Sequence, residues 1–294
     1  HISAIMVLLT AIIGLCCVLY SFADIDERRE NFGYYSLLHL LLGAVCGAFL
    51  AGDLFNLYVW YELVLISSFS LLILGGEKTQ IDGAIKYFAL NLIATMMLLC
   101  GIVLLYGVTG TLNMADLHLK VKAVQNPGLL TGISVLFIMA FGIKSAVFPL
   151  FFWLPSSYHT PPVAVSAIFS GLLTKVGIYS FIRMFTLVFT EDVGFTHQLL
   201  LVMAGFTMVT GVLGAAAHNE IRRILLFHII SQIGYLVMGI ALFSPMAMTG
   251  TIYFLAHIIV VKTALILIGG VVNRRCGTME LASVGGFYQS TPFM

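Results

Sequence analysis

Charge is scarce in this chain. Only 9% of its 294 residues are Asp, Glu, Lys or Arg, against 60% hydrophobic, where a soluble domain carries about 25% charged residues. That deficit excludes an ordinary soluble globular domain and points to an integral membrane protein. The formal net charge is +1, so no basic footprint for nucleic acid is present. Cysteine is also sparse. Cys16, Cys17, Cys46 and Cys100 lie inside apolar segments and Cys276 follows Arg274 and Arg275. None has metal-ligand spacing with a histidine, so neither a zinc site nor a disulfide framework is indicated. No acidic cluster of the kind a metal-dependent, membrane-embedded transferase needs occurs in the apolar segments. No cofactor or metal site is therefore expected.

What is abundant is apolar sequence in spanning lengths. A helix needs about 20 apolar residues to cross the hydrocarbon, and nine segments qualify: 2–22, 34–51, 54–75, 82–108, 129–154, 161–189, 197–217, 222–243 and 247–273. The break at Gly52-Asp53 is short and demands a tight turn. Scattered glycines and seven prolines are compatible with membrane helices, where neighbours re-satisfy freed backbone groups. The odd-numbered loops carry Arg28, Arg29, Lys78, Arg222, Arg223, Arg274 and Arg275, and the even-numbered ones only Lys120 and Lys122. Such a cation bias sets orientation, so the odd loops are expected to face the cytoplasm. No signal peptide is visible. A start at His1 and a stop at Met294 read as an internal piece of a longer protein.

Against this apolar background, charges deep in the segments stand out. Glu62, Lys144 and Lys175 each lie inside a different crossing, where a charge at the bilayer centre costs roughly 2.5–3.5 kcal/mol on insertion scales. Such residues persist when they pair, face a polar interior or carry ions. Glu62 is the only carboxylate deep in any segment and is expected to be protonated or paired, with Lys144 the economical partner.

Four residues after Ser145 comes Pro149, which cannot donate to the Ser145 carbonyl. The fifth segment should therefore break between Lys144 and Leu154. The plain alternative is a kinked helix with a snorkelling lysine. Ser166, Ser170 and Thr174 recur every four residues and lead to Lys175, a hydroxyl row beside a cation. His228, Ser231, Gln232 and Tyr235 form a polar face, read either as a proton relay or as a packing network. His257 and Lys262 are five residues apart and do not share a helix face. Lys86, four residues after Asp82, is expected to pair with it.

These residues resemble a known family. Asp53-Leu-Phe-Asn-Leu-Tyr-Val-Trp-Tyr-Glu62, Lys144 followed by Pro149 and Trp153-Leu-Pro155, and Lys175-Val-Gly-Ile-Tyr179 are similar to the antiporter-like membrane subunits. That superfamily includes the proton-pumping subunits of respiratory complex I and the large subunits of Mrp-type Na+/H+ antiporters. Gly110-Thr-Leu-Asn-Met-Ala115 and His257-Ile-Ile-Val-Val-Lys-Thr-Ala264 most resemble the D-type branch of the Mrp antiporter subunits.

The resemblance implies an all-α polytopic helix bundle of about fourteen helices, with two inverted five-helix repeats each containing a broken helix. The present chain, a single membrane domain over 1–294, would hold the third to eleventh helices. Residues 34–189 would form the first repeat and 197–294 an incomplete second, with the second broken helix beyond Met294. By the same resemblance Glu62 and Lys144 would be the ion pair of the fifth and broken seventh helices. Lys175 would pass protons toward the centre, joined by His228, His257 and Lys262, and His159 would precede the Pro-Pro run.

The implied function is an ion-translocating, non-redox subunit of a multisubunit Na+/H+ antiporter, with other membrane subunits, H+, Na+ and the lipid bilayer as partners. Its place would be a bacterial plasma membrane. The alternative is a proton-pumping subunit of complex I or a membrane-bound hydrogenase.

Overall fold

The computed structural model describes residues 1–190 and 192–287. Among the described residues nine crossings form, as the apolar lengths require. They are α1 (Ile2–Asp24), α3 (Tyr34–Leu50), α4 (Leu54–Ile73), α5 (Lys78–Thr109), α7 (Pro127–Ser145), a composite sixth over Val163–Leu187, α11 (Val193–Ala216), α12 (Ile221–Ala241) and α13 (Pro245–Cys276). Eight of these are long and apolar enough to cross a membrane, and α3, at 17 residues, is a shorter apolar helix. Short helices α2 (Glu27–Asn31), α6 (Met114–Lys120) and α8 (Trp153–Tyr158) lie between them. Within the sixth crossing α9 (Val163–Ile168) and α10 (Thr174–Leu187) flank a π-helical turn at Phe169–Leu173.

Contacts between loops place their ends. Arg29 reaches Glu77 at 3.3 Å, Gln80 Nε2 donates to Thr160 O at 3.2 Å, Arg222 donates to Pro161 O, and Arg274 pairs with Asp24 at 3.3 Å. All five odd loops are thereby gathered at one end. At the other end, Leu54 N–H donates to Leu112 O at 3.0 Å and His118 Nδ1 to Leu187 O at 2.7 Å. The rings of His197 and Phe243 lie 4.6 Å apart at that end. The crossings therefore alternate in direction.

The turn demanded at Gly52-Asp53 is made by Asp53 capping α4: Oδ1 accepts from the N–H of Phe55 (2.8 Å) and Asn56 (3.1 Å). That turn also pairs with the distant loop before α6, through Leu54 N–H to Leu112 O and Met114 N–H to Gly52 O, both 3.0 Å. An identical pair recurs 167 residues later, where Ile221 N–H donates to Met279 O at 3.0 Å and Leu281 N–H to Asn219 O at 2.9 Å. The first pair sits at the even-loop end and the second at the odd-loop end.

Hydrophobic surface is spent differently across the bundle. Large side chains such as Leu8, Leu15, Phe22, Val103 and Leu213 are exposed, as lipid-facing groups are. The sixth crossing, by contrast, is buried along its length, so every polar side chain on it must find a partner inside protein or hydrated space. The fifth segment breaks where Pro149 predicts: α7 ends at Ser145, Ala146 adopts φ 59°, and chain without regular helix follows to α8. One expectation needs correction here. Arg222 belongs to the first turn of α12 and points inward, not to a loop.

Candidate functional site

The break after Ser145 is held from inside. Val147 N–H bonds Gly142 O at 2.9 Å, and Trp153 Nε1 donates to Ile143 O at 3.0 Å, so carbonyls of the last α7 turn keep partners after the helix ends. Lys144, in that turn, is buried. It borders a cavity whose polar lining includes Tyr61, Tyr87, Asn91 and Tyr158. Tyr158 Oη has no partner among the described residues, so the cavity offers polar groups to water.

The direct Glu62–Lys144 ion pair does not form. Among the described residues no carboxylate oxygen lies within 4.0 Å of Lys144 Nζ. The ammonium instead sits over the Tyr61 ring, 4.4 Å from its centroid. Tyr61 is locked there because its Oη bonds Ser180 Oγ at 2.7 Å and donates to Val176 O at 3.1 Å, which presents the π face to the cation. Glu62, the next residue, is rotated about 100° around α4. Its charge still reaches Lys144, Tyr58 lies beside it one turn earlier, and its Oε1 is buried without a hydrogen-bond partner.

Lys175 is fully buried and Nζ donates to Ser170 O. The π turn makes this possible: one extra residue per turn disrupts the regular hydroxyl spacing and turns a carbonyl toward the ammonium. Among the described residues Ser170 Oγ and Thr174 Oγ1 are buried with no partner, whereas Ser166 Oγ donates to Tyr158 O at 2.7 Å and accepts from Arg222. Close backbone approach positions the turn. A Cβ on Gly171 would strike Thr263 of α13, and one on Gly177 would lie 3.1 Å from Ser145 N. Glycine at these two places lets the sixth crossing touch both the broken end of α7 and the Lys262 region of α13.

Lys262 is fully buried, and its Nζ lies 2.5 Å from His228 Nδ1. Its charge reaches Lys175. Three cations from three crossings, with one imidazole in hydrogen-bond contact, thus occupy the interior. His257 is not brought to this pair. His257 is exposed, with its ring parallel to Phe254 at 6.3 Å, because five residues separate it from the inward-facing Lys262. The polar face of α12 also splits. Ser231 is buried and Gln232 keeps a buried, unpartnered Oε1, while Tyr235 faces out against Phe254 at 6.1 Å.

His159 stands apart, at the odd-loop end. Its Nδ1 donates to Pro155 O at 2.7 Å, and burial holds it below the ordinary imidazole range, aided by Arg223 and Arg222. The expected Lys86–Asp82 pair forms at 2.7 Å on the surface. Sequence reasoning missed Tyr61 and Arg222. The only signal for Arg222 was its position two residues after Glu220 at a helix start, which an ordinary loop arginine shares.

Comparisons with known proteins follow the same lines. Residues 51–294 match the family described as NADH:quinone oxidoreductase/Mrp antiporter, TM. The chain is 47% identical over 292 residues to the D-type subunit of the Na(+)/H(+) antiporter of Alkalihalophilus pseudofirmus, covering 99% of this chain and 59% of that one. It is 44% identical to the same-named protein of Bacillus subtilis, with equal coverage. Among solved structures, a chain of the Mrp complex from Dietzia sp. DQ12-45-1b superposes with TM-score 0.90 at 36% identity, over 99% of this chain and 54% of that one. A chain of the membrane-bound sulfane sulfur reductase, an archaeal respiratory membrane complex, gives 0.91 at 27%, over 96% and 58%. The chain thus spans about three-fifths of the length of the relatives it matches.

Proposed function

The chain belongs to the NADH:quinone oxidoreductase/Mrp antiporter transmembrane family, and from that membership we propose that it is the proton-conducting part of a D-type subunit in a multisubunit Na+/H+ antiporter. The observation that carries the reading is the contact between Lys262 and His228, 2.5 Å apart, beside the fully buried Lys175. Two bases in hydrogen-bond contact share a proton, and a further ammonium within electrostatic range makes holding both protons unfavourable in a dry interior. Loading one site therefore favours release from the next. The route proposed runs from the Lys144 cavity past Ser145 and Gly177 to Lys175, then to Lys262 and His228, with Glu62 acting on Lys144 through its charge.

The orientation proposed puts the odd-loop end in the cytoplasm of a bacterial plasma membrane, since seven of the nine cations flanking the crossings lie there. Residues 34–189 and 197–294 are read as one repeat and part of an inverted second. Support comes from the paired hydrogen bonds recurring at a fixed offset on opposite ends. Partners would be the other subunits of the antiporter. The likeness to the sulfane sulfur reductase chain favours a second reading, in which redox chemistry elsewhere in a respiratory complex drives the same path; the higher identity to antiporter subunits supports the first.

The test compares two residues the geometry separates. In everted vesicles carrying the full-length complex, sodium-induced collapse of a pH gradient is measured by dye fluorescence. Lys262→Ala is expected to cut the rate at least tenfold and His257→Ala less than twofold. Equal loss in both variants would return His257 to the route.

A further inference from the structure

Arg222 closes one end of the hydroxyl row. Its guanidinium leaves the loop region, turns into the bundle and donates to Ser166 Oγ and Pro161 O, while Nε is buried with no partner among the described residues. Ser166 is the first hydroxyl of the row that runs through Ser170 and Thr174 to Lys175. The next two hydroxyls are buried without protein partners, so the row beyond Ser166 is polar and its odd-loop end is blocked by a cation.

Two carboxylates act on that cation. Asp24, at the end of α1, accepts the Ala164 N–H through Oδ2 at 3.0 Å and pairs with Arg274 through Oδ1 at 3.3 Å. Its charge reaches Arg222. Glu220, the other carboxylate acting on Arg222, is already paired with Arg223 at 3.0 Å. Tyr20 Oη, beside Asp24, Arg274 and Arg222, is buried and has no partner among the described residues.

We propose that Arg222 is a gate over the odd-loop end of the hydroxyl row, closed when its guanidinium caps Ser166 and open when it swings to Asp24. The gate rests on the translocation reading above. The physical case is a balance of acceptors. Ser166 and Pro161 offer two neutral acceptors inside the bundle. Asp24 offers a charged one, which binds an arginine fork more strongly, but Arg274 and the Ala164 N–H already occupy part of its capacity. Sharing Asp24 in this way weakens its pull on Arg222 and lets the two positions compete, as a switch requires. In the closed position the fixed positive charge also repels an incoming proton or cation, so the row does not leak while Lys175 is loaded from elsewhere.

Thiol accessibility tests this in the full-length complex. The native cysteines of the complex are replaced by serine and Ser170→Cys is introduced, with labelling by a membrane-impermeant sulfonated methanethiosulfonate applied to each face separately. Arg222→Gln is expected to raise the labelling rate from the odd-loop face at least tenfold. Asp24→Asn keeps an oxygen for the Ala164 N–H but removes the charge that draws Arg222 away, and should lower that rate at least threefold.

Loss of a merely structural contact would loosen the region in both variants. Rates that move together, or do not move, overturn the gate. If Arg222→Gln fails to assemble, Asp24→Asn decides alone, since a raised or unchanged rate there also overturns it. Normal exchange in Lys175→Ala would instead defeat the translocation reading, and the labelling comparison would still decide whether Arg222 controls access.

Discussion

Lys175→Ala in the full-length complex is expected to abolish sodium-linked collapse of the pH gradient, to background, while the complex still assembles. Lys175 is fully buried, and among the described residues its hydrogen bond goes to a carbonyl of its own crossing across the π turn, so its removal breaks no hydrogen bond to another element. Shortening the side chain leaves a cavity but also removes a desolvated charge, and the two effects offset. Assembly, read by co-purification of the other subunits, should therefore survive.

Lys175→Arg is expected to fail as completely, because a guanidinium keeps its proton. The pair of variants separates a proton carrier from a mere positive charge: a structural cation would be rescued by arginine. Near-normal exchange with Lys175→Ala would mean that this lysine is structural and that protons pass elsewhere.

The second large effect is expected around Lys144. Two groups favour its ammonium, the Tyr61 ring at 4.4 Å and the charge of Glu62. Glu62→Ala should reduce exchange at least tenfold, and Glu62→Asp should recover part of it. Tyr61→Leu removes the ring and with it about 0.5–2 kcal/mol of cation–π attraction, so a further loss of several-fold is expected. Tyr61→Phe keeps the ring but loses the bonds to Ser180 and Val176, and should lie between wild type and Tyr61→Leu. The same dye assay ranks all four. Full exchange with Glu62→Ala, combined with collapse in Tyr61→Leu, would show that the ring alone holds Lys144 and that the carboxylate is a bystander.

Much of the site was legible because buried charge is so unfavourable in a membrane. Glu62, Lys144, Lys175 and Lys262 could be singled out from the apolar runs around them, and Pro149 located the break in the fifth crossing before any coordinates. What could not be read was how these groups face one another. Charge complementarity pairs Glu62 with Lys144, but Lys144 lies against the Tyr61 face of α4, one position and about 100° away from the carboxylate. Resemblance puts His257 on the route, while the five-residue spacing sets it on a different face from Lys262, and the structure shows the two faces diverging.

By itself the sequence determined nine alternating crossings, the membrane as solvent and the deep charges, because hydrocarbon thickness and desolvation act on composition and length alone. Only the tertiary structure decided which charges meet. The π turn at Phe169–Leu173 shifts the helical phase by an extra residue, opening Ser170 O to Lys175. Glycines at 171 and 177 set how closely the sixth crossing meets α13 and α7. Arg222, written as a loop cation, becomes an interior one because Ser166 and Pro161 stand within its reach. Periodicity defines a residue's direction relative to its own helix axis. The rotation of that axis against its neighbours comes from side-chain packing across many helices, which no single segment contains.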